Sequence, residues 1–185
     1  MFRDMLMDSP VIAAIKNDDD LEKCLKCESG IVFILYGDIL SIGNIVSKVK
    51  ETGKLAFVHI DLIHGLYTSE IAVEYIKNMT RADGIISTKT QLIQKAKELG
   101  MYAVMRFFVI DSMALSNLKR QIEVVHPDCL EMLPGLMPKV VKKIVETVSC
   151  PVIAGGLVSD REDVYSLLDA GASAISSTNH DVWFI

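Results

Sequence analysis

Aromatic residues are few in this sequence, and positive charges are outnumbered by negative ones. Aromatics make up 6% of the 185 residues, and 19 Lys and Arg stand against 24 Asp and Glu, which gives a formal net charge of −5. Such a chain has no overall basic surface for nucleic acid or for an anionic membrane, so any such surface must be a local patch. No apolar run is long enough to span a membrane. Charges within residues 1–9 argue against a secretory signal peptide.

Disulfides, metal sites and nucleotide-binding loops are also not expected. Four Cys and nine Met are typical of the reducing cytoplasm, where we expect this protein. Cys24 and Cys27 have the spacing of zinc ligands, but no second pair or nearby His accompanies them, which favours ordinary thiols. His59, Asp61 and His64 could chelate a divalent metal, although a structural role is favoured. Neither G-x-G-x-x-G nor G-x-x-x-x-G-K-[ST] occurs, so the sequence predicts no nucleotide cofactor. Since both candidate metal clusters favour other roles, it predicts no bound metal either.

Short apolar runs alternate with helical patterns along the whole chain, and half of the residues are hydrophobic. The predicted strands are 11–15, 31–36, 55–61, 83–87, 101–107, 128–132, 151–154 and 172–176. The predicted helices between them are 21–28, 39–52, 69–79, 91–99, 112–124, 138–148 and a segment capped by Ser159 or Asp160 and closed by Gly171. Alternating strands and helices predict a parallel sheet, and eight units predict a compact (β/α)8 barrel of the TIM type. Merging one short strand would leave seven units and an open sheet.

The ends of the chain complete a single predicted domain over residues 1–185. Residues 1–10 are predicted to form a short helical segment that ends at Pro10, and Ser112 is predicted to cap the helix over 112–124. Only residues 181–185 remain for the last helix, so we expect that helix to be truncated. The N-terminal segment or a partner subunit would then cover its position, which leaves a homo-oligomer open.

Small and polar residues follow the last two predicted strands. Gly155 and Gly156 let the backbone turn and approach a ligand without a Cβ in the way. Ser176, Ser177 and Thr178 then supply hydroxyl groups at the end of the eighth strand. In (β/α)8 barrels the loops after strands seven and eight often bind phosphate. These five residues are therefore candidate phosphate ligands.

Charged residues stand at the ends of four other strands. Asp61, Lys89, Arg106 and Glu131 follow or end predicted strands three to six. Burying charges at such positions is costly unless they are paired or used. They could form a ring of structural ion pairs, but we favour a pocket for a small polyol phosphate, in which carboxylates accept the hydroxyl groups of the ligand.

Further lysines and an arginine occur on two predicted helices. Lys119 and Arg120 lie on one of them, and Lys139, Lys142 and Lys143 lie on the next. Such runs are typical of solvated helix faces. No helix-turn-helix or RNA-recognition signature accompanies them.

Specific strings along the chain resemble a known family. They are HIDLIHGL (59–66), ADGIISTK (82–89), Ile110-Asp111-Ser112, Pro127-Asp128, Leu133-Pro134-Gly135, Pro138-Lys139, AGGL (154–157), AGASAISSTN (170–179) and Trp183. In this combination and order the chain resembles the glycerol uptake operon antiterminator family over about residues 10–183.

The resemblance implies a cytoplasmic bacterial regulator with a (β/α)8-like fold that is not an enzyme. Members of this family respond to glycerol 3-phosphate and act on the leader mRNA of glycerol-utilisation operons, so that transcription passes a terminator. It therefore implies RNA binding and a role in glycerol metabolism. Residue by residue, it implies a ligand role for Asp61, Lys89, Glu131, Gly155, Gly156 and Ser176. The short final helix and the acidic charge balance depart from this expectation, and no basic stripe marks an RNA-binding surface.

Two other functions remain open from the residues alone. The first is a barrel enzyme acting on a small phosphorylated polyol or sugar, with Asp61, Lys89 and Glu131 as acid and base groups. The second is a scaffold whose pocket no longer binds a ligand. Turnover of a phosphate ester would identify the enzyme, whereas binding without turnover would identify the regulator.

Overall fold

Eight parallel strands close into a barrel in the computed structural model, which describes residues 2–184. The strands are β1 (Val11–Ile15), β2 (Ile31–Ile34), β3 (Leu55–His59), β4 (Gly84–Ser87), β5 (Tyr102–Phe108), β6 (Cys129–Leu133), β7 (Val152–Gly155) and β8 (Ala174–Ser177). Each strand pairs with its neighbours in chain order, and β8 closes the barrel on β1. The predicted (β/α)8 fold is therefore confirmed. Residues 1 and 185 of the predicted domain lie outside the described residues.

A helix precedes the barrel, and one helix follows each of the first seven strands. The helices are α1 (Phe2–Asp8), α2 (Asp18–Cys24), α3 (Ile42–Glu51), α4 (Glu70–Met79), α5 (Thr90–Glu98), α6 (Ser112–Val125), α7 (Pro138–Thr147) and α8 (Arg161–Asp169). After β8 the chain forms only a 3-10 segment over His180–Phe184, in agreement with a truncated final helix. No helix within residues 2–184 has the length and apolarity needed to cross a membrane.

Alternate strand residues pack on opposite sides of the barrel wall. In β1, Val11, Ala13 and Ile15 belong to the large apolar cluster between strands and helices, whereas Ile12 and Ala14 belong to a smaller cluster inside the barrel. A two-residue period therefore separates the two cores.

The N-terminal helix α1 covers the end of the barrel where the strands begin. Phe2 and Leu6 of α1 are buried. The ring of Phe2 lies 4.9 Å from that of Phe57 and 5.2 Å from that of Tyr102, the first residue of β5. The opposite end of the barrel, where the strands finish, is left to the connecting loops. At the position of the missing final helix, the His180–Phe184 segment itself packs on β1 and α2.

Several predicted boundaries are wrong, and three of them have identifiable local reasons. The helix predicted over 21–28 begins at Asp18, because the side chain of Asn17 accepts a hydrogen bond from the backbone N–H of Asp20. Helix α6 is capped by Asp111 rather than by Ser112, since the Asp111 carboxylate accepts from Ala114 N at 2.7 Å. Strand β3 ends at His59, and the 3-10 turn Ile60–Leu62 redirects the chain.

Candidate functional site

A cavity of about 330 Å³ opens where the last four strands end, and we refer to it as the strand-end cavity. Its lining residues are Ala14, Leu35, Arg106, Glu131, Leu133, Gly156, Leu157, Val158, Ser159, Ser176, Ser177 and Thr178. Six of the nine predicted site residues line it. Every polar side chain in the lining comes from β5, β6, β8 or the loops after β7 and β8, whereas β1 and the loop after β2 contribute only Ala14 and Leu35.

A buried ion pair lies beside the cavity. Arg106 and Glu131 are register partners on β5 and β6. Arg106 Nε donates to Glu131 Oε2 at 2.6 Å, and Ser176 Oγ donates to Glu131 Oε1 at 2.6 Å. Only 9% of the Arg106 side chain and 1% of the Glu131 side chain are exposed. A buried carboxylate is tolerated here because both of its oxygens have partners.

Several hydrogen-bond donors around the cavity have no partner among residues 2–184. Arg106 uses Nε for Glu131, whereas its terminal Nη groups donate to no described residue. The backbone N–H groups of Gly156, Leu157 and Thr178 likewise donate to no described acceptor. Backbone N–H groups and a guanidinium are the donors that proteins present to phosphate oxygens. The lining can therefore bind an anion.

The two consecutive glycines after β7 have different steric roles. A Cβ at Gly155 would collide with Ser176 Oγ and lie 2.9 Å from Glu131 Oε1, so only glycine leaves room for the Ser176–Glu131 bond. Gly156 has φ +76°, in the left-handed region that favours glycine. Leu157 also has a positive φ of 64°, which costs a residue with a Cβ roughly 1–2 kcal/mol. Such strain often marks a functional loop.

Hydrogen bonds fix the loop after β8. Ser177 Oγ donates to Val158 O at 2.9 Å and accepts from Asn179 N at 3.0 Å. Trp183 Nε1 donates to Ser177 O at 2.7 Å. The Ser177 hydroxyl therefore joins the loops after β7 and β8, while Thr178 is exposed and its hydroxyl has no described partner.

Asp61 and Lys89 do not line the strand-end cavity. The Asp61 carboxylate accepts from Ser87 Oγ at 2.8 Å, from Thr88 N at 2.8 Å and from Thr88 Oγ1 at 3.0 Å, and so fixes the loop after β4. Lys89 is exposed at the N-cap of α5. The acid and base groups Asp61, Lys89 and Glu131 are therefore not assembled around this cavity. The ligand roles of Asp61 and Lys89 stay predictions.

His59 is a buried polar residue for which the sequence favoured a structural role over metal binding. It ends β3 with 3% of its surface exposed, and its Nδ1 is the one buried side-chain nitrogen or oxygen without a hydrogen bond among the described residues. Burial, and secondarily the positive charge of Arg106, lower the pKa of His59 to about 4 against the opposing effect of Asp61. The imidazole is therefore neutral at pH 7. A His at the end of an apolar strand was the only sequence signal.

The cysteines and the H-x-D-x-x-H residues form no metal site in the described part of the chain. Residues 2–184 contain no group of three or more His, Cys, Asp or Glu side chains placed to hold a metal ion. Cys24 and Cys27 are buried free thiols, and Cys27 Sγ donates to Cys24 O. Burial raises the pKa of the Cys24 thiol to about 12, so it is a poor metal ligand at neutral pH.

Comparisons with known proteins give consistent matches over nearly the whole chain. The family model described as glycerol-3-phosphate responsive antiterminator matches residues 11–183. The uncharacterized protein YgcP of Escherichia coli (strain K12) is 42% identical over 179 residues, which cover 97% of this chain and 94% of YgcP. The crystal structure of a glycerol uptake operon antiterminator regulatory protein from Listeria monocytogenes str. 4b F2365 is 35% identical, with a TM-score of 0.90 over 94% of each chain. A glycerol uptake operon antiterminator-related protein from Thermotoga maritima MSB8 is 37% identical, with a TM-score of 0.84 over 95% of this chain and 98% of that one.

Proposed function

The chain belongs to the glycerol-3-phosphate responsive antiterminator family, and from this premise we propose that it binds glycerol 3-phosphate in the strand-end cavity and regulates transcription through leader mRNA. The observation that carries the ligand proposal is the group of unpartnered donors around that cavity. They are the Arg106 Nη groups and the N–H groups of Gly156, Leu157 and Thr178.

The cavity suits the two chemical parts of this ligand. A phosphate group would accept hydrogen bonds from the loops after β7 and β8, the position where (β/α)8 barrels often bind phosphate. The glycerol hydroxyls would donate to Glu131 and exchange hydrogen bonds with Thr178. Glu131 keeps lone pairs for this purpose, because a carboxylate has about four acceptor sites and two are occupied by Arg106 and Ser176.

A regulatory role fits the side chains around the cavity better than catalysis does. Asp61 and Lys89, which an enzyme would use together with Glu131, lie outside the lining. A sensor needs only a ligand that binds one conformational state more tightly than the other. Leader mRNA is found in the bacterial cytoplasm, which is where we place the protein.

Calorimetric titration tests the ligand proposal most directly. We expect binding of glycerol 3-phosphate by the wild type and much weaker binding of glycerol and of inorganic phosphate, because each contains only half of the recognised groups. Gly156→Val places a branched side chain at the cavity and should abolish binding.

Gly171→Val is the matched control for that variant. Gly171 also has a positive φ, +101°, and its added Cβ would lie 3.3 Å from Val145 Cγ1, just as a Cβ at Gly156 would lie 3.3 Å from Leu133 Cδ2. Gly171 lies between α8 and the start of β8, whereas the cavity lies where the strands end. Equal loss of binding in both variants, or no heat from any ligand with the wild type, would contradict the proposal.

The regulatory part is tested with a labelled transcript of a glycerol-operon leader. We expect glycerol 3-phosphate to change the affinity of the protein for this RNA, with a corresponding change in read-through of the terminator in a purified transcription assay. RNA affinity that is identical with and without ligand would refute sensing, even if the ligand binds.

A further inference from the structure

The exposed surface of α6, together with the facing sides of α5 and α7, carries excess positive charge although the whole chain is acidic. Clefts on either side of α6 give this surface its shape. We refer to this surface as the α6 face. Helices α6 and α7 carry five basic residues, Lys119, Arg120, Lys139, Lys142 and Lys143, and only two acidic ones, Glu123 and Glu146. All five basic residues are exposed. The two helices therefore have a net charge of +3 within a chain of net charge −5.

These cations have weak partners or none, like Lys48 of α3 and Lys77 of α4, whereas some other helix lysines form close ion pairs. Lys50 pairs with Asp83 at 2.7 Å, and Lys95 pairs with Glu74 at 2.7 Å. On the α6 face the one ion pair among residues 2–184 joins Lys119 to Glu123 at 3.9 Å, between side chains that are each more than half exposed. Exposed pairs of this kind contribute little. Most of the positive charge of the α6 face is thus left for a partner.

Two clefts flank α6 and give the basic surface a shape. The cleft between α6 and α7 has a volume of about 260 Å³, with Lys119 and Lys143 in its lining beside the hydroxyl groups of Ser112, Ser116 and Thr147. The ammonium groups are point charges suited to phosphate oxygens. This side of α6 can bind the backbone of a nucleic acid.

The cleft on the other side of α6, against α5, offers a different chemistry. It has a volume of about 330 Å³ and is lined by the side chains of Gln94, Asn117, Gln121 and Arg120. None of these four side chains has a hydrogen-bond partner within the described residues. Amides present both donors and acceptors to base edges, and a guanidinium stacks on bases or binds them.

From this arrangement we infer that the α6 face is the RNA-binding surface, with the α6–α7 cleft on the phosphodiester backbone and the α5–α6 cleft on unpaired bases. The inference rests on the proposed function for its partner. A protein partner is disfavoured, because lysines are depleted and aromatic side chains enriched in protein interfaces, and neither cleft contains an aromatic residue.

The position of the α6 face also connects it to the strand-end cavity. Arg106 lies on β5, which leads into α6, and Glu131 lies on β6, which leads into α7. The buried ion pair thus joins the two βα units that carry the basic helices. A ligand that binds Arg106 would act on both units, as coupling between the two sites requires.

Two triple variants with equal charge changes test the inference. Lys119→Gln/Arg120→Gln/Lys143→Gln removes three cations of the α6 face. Lys26→Gln/Lys48→Gln/Lys77→Gln removes three exposed lysines of α3, α4 and the segment after α2 that make no described ion pair. Binding of labelled single-stranded RNA, first a random-sequence pool and then the leader transcript, is measured over a range of salt concentrations.

We expect the α6-face variant to lose most of its RNA affinity and the control to keep it. The slope of log affinity against log salt concentration should become shallower by about 2 in the α6-face variant, since each lost phosphate contact on a single strand removes about 0.7. Its thermal shift with glycerol 3-phosphate should stay at the wild-type value, which shows that the fold and the cavity are intact.

The other outcomes separate the placement from the proposed function. RNA binding that both triple variants retain, or lose equally, overturns the placement on α6 but leaves RNA binding by this protein intact. Failure of the wild type to bind either RNA, with glycerol 3-phosphate still bound, overturns both the placement and the mRNA part of the proposed function. Binding of polyglutamate in place of RNA overturns the assignment in favour of an acidic protein partner.

Discussion

At the scale of single residues, the space beside Gly155 determines whether Ser176 can reach Glu131. A methyl group there would collide with Ser176 Oγ and approach Glu131 Oε1 at 2.9 Å. We expect Gly155→Ala to lower the free energy of unfolding by about 1–3 kcal/mol, the usual cost of overpacking, and to abolish glycerol 3-phosphate binding. Urea unfolding and calorimetry would measure the two effects.

Gly43→Ala is the control for that substitution. Gly43 lies within α3, and its added Cβ would make only an ordinary contact, 3.5 Å from Met79 O. Because alanine favours helix more than glycine does, we expect the free energy of unfolding to rise by about 0.5–1 kcal/mol with no change in ligand binding. Comparable destabilisation by both substitutions would show that the collision of a Cβ at Gly155 with Ser176 and Glu131 does not determine stability.

The buried imidazole of His59 makes a prediction about pH. Burial and the charge of Arg106 lower its pKa from 6.5 to about 4, so the unfolded chain takes up a proton below about pH 6.5 while the folded chain does not until about pH 4. The unfolded state therefore binds more protons in this window, and the free energy of unfolding should fall as the pH falls from 6.5 to 4. The contribution is about 3 kcal/mol, fully present above pH 6.5 and lost below pH 4.

His59→Leu separates this effect from the carboxylates that titrate nearby. Urea unfolding of both proteins across the window should show a steeper pH dependence for the wild type, and the difference between the two curves isolates the imidazole. Arg106 and Asp61 are the groups whose charges act most strongly on His59, and both are present in both proteins. Parallel curves would mean that His59 takes up its proton in the folded state as readily as in the unfolded one.

At the scale of elements, the start of α6 offers a paired test of helix capping. The Asp111 side chain accepts a hydrogen bond from Ala114 N, and Ser112 is already the first helical residue. Asp111→Ala should lower the free energy of unfolding by about 1 kcal/mol, because an orphan N–H loses its acceptor. Ser112→Ala should change it little. The reverse order in thermal unfolding would make Ser112 the cap, as the sequence suggested.

The sequence was informative for elements whose signals are local. The apolar run of β1 was predicted with its observed bounds, and Pro138 marks the first residue of α7 as expected. Element ends were less accurate, because apolar residues continue past them. Residues 60 and 61 extend the pattern of β3, yet Asp61 bonds to Ser87 and Thr88 in the next βα unit.

The candidate site was predictable only where barrel topology places residues together. Strand ends brought Arg106, Glu131 and Ser176 to one cavity, as expected for a parallel barrel. The partner of each charge could not be predicted, since Ser176 reaches Glu131 across 45 residues of sequence. The basic residues of α6 and α7 were interpreted as solvated faces, because the clefts on either side of α6 appear only when the three helices pack together.

At the scale of the whole molecule, the two halves of the barrel contribute differently to the strand-end cavity. All of its polar side chains belong to β5–β8 or to the loops that follow β7 and β8, and the first half supplies only Ala14 and Leu35. In a library of single substitutions scored separately for folding and for glycerol 3-phosphate binding, we expect losses of binding without loss of folding to fall almost entirely after residue 105. An even distribution along the chain would contradict this.

That division of the cavity has a consequence for how such a protein can diverge. The first four βα units help to close the barrel but supply only Ala14 and Leu35 to the cavity, so they can stay constant while the lining changes. The last four form a variable part in which new side chains at a few strand ends would select a different effector. Descendants with altered ligand preference could therefore arise by recombination near the middle of the gene, with the constant half inherited unchanged.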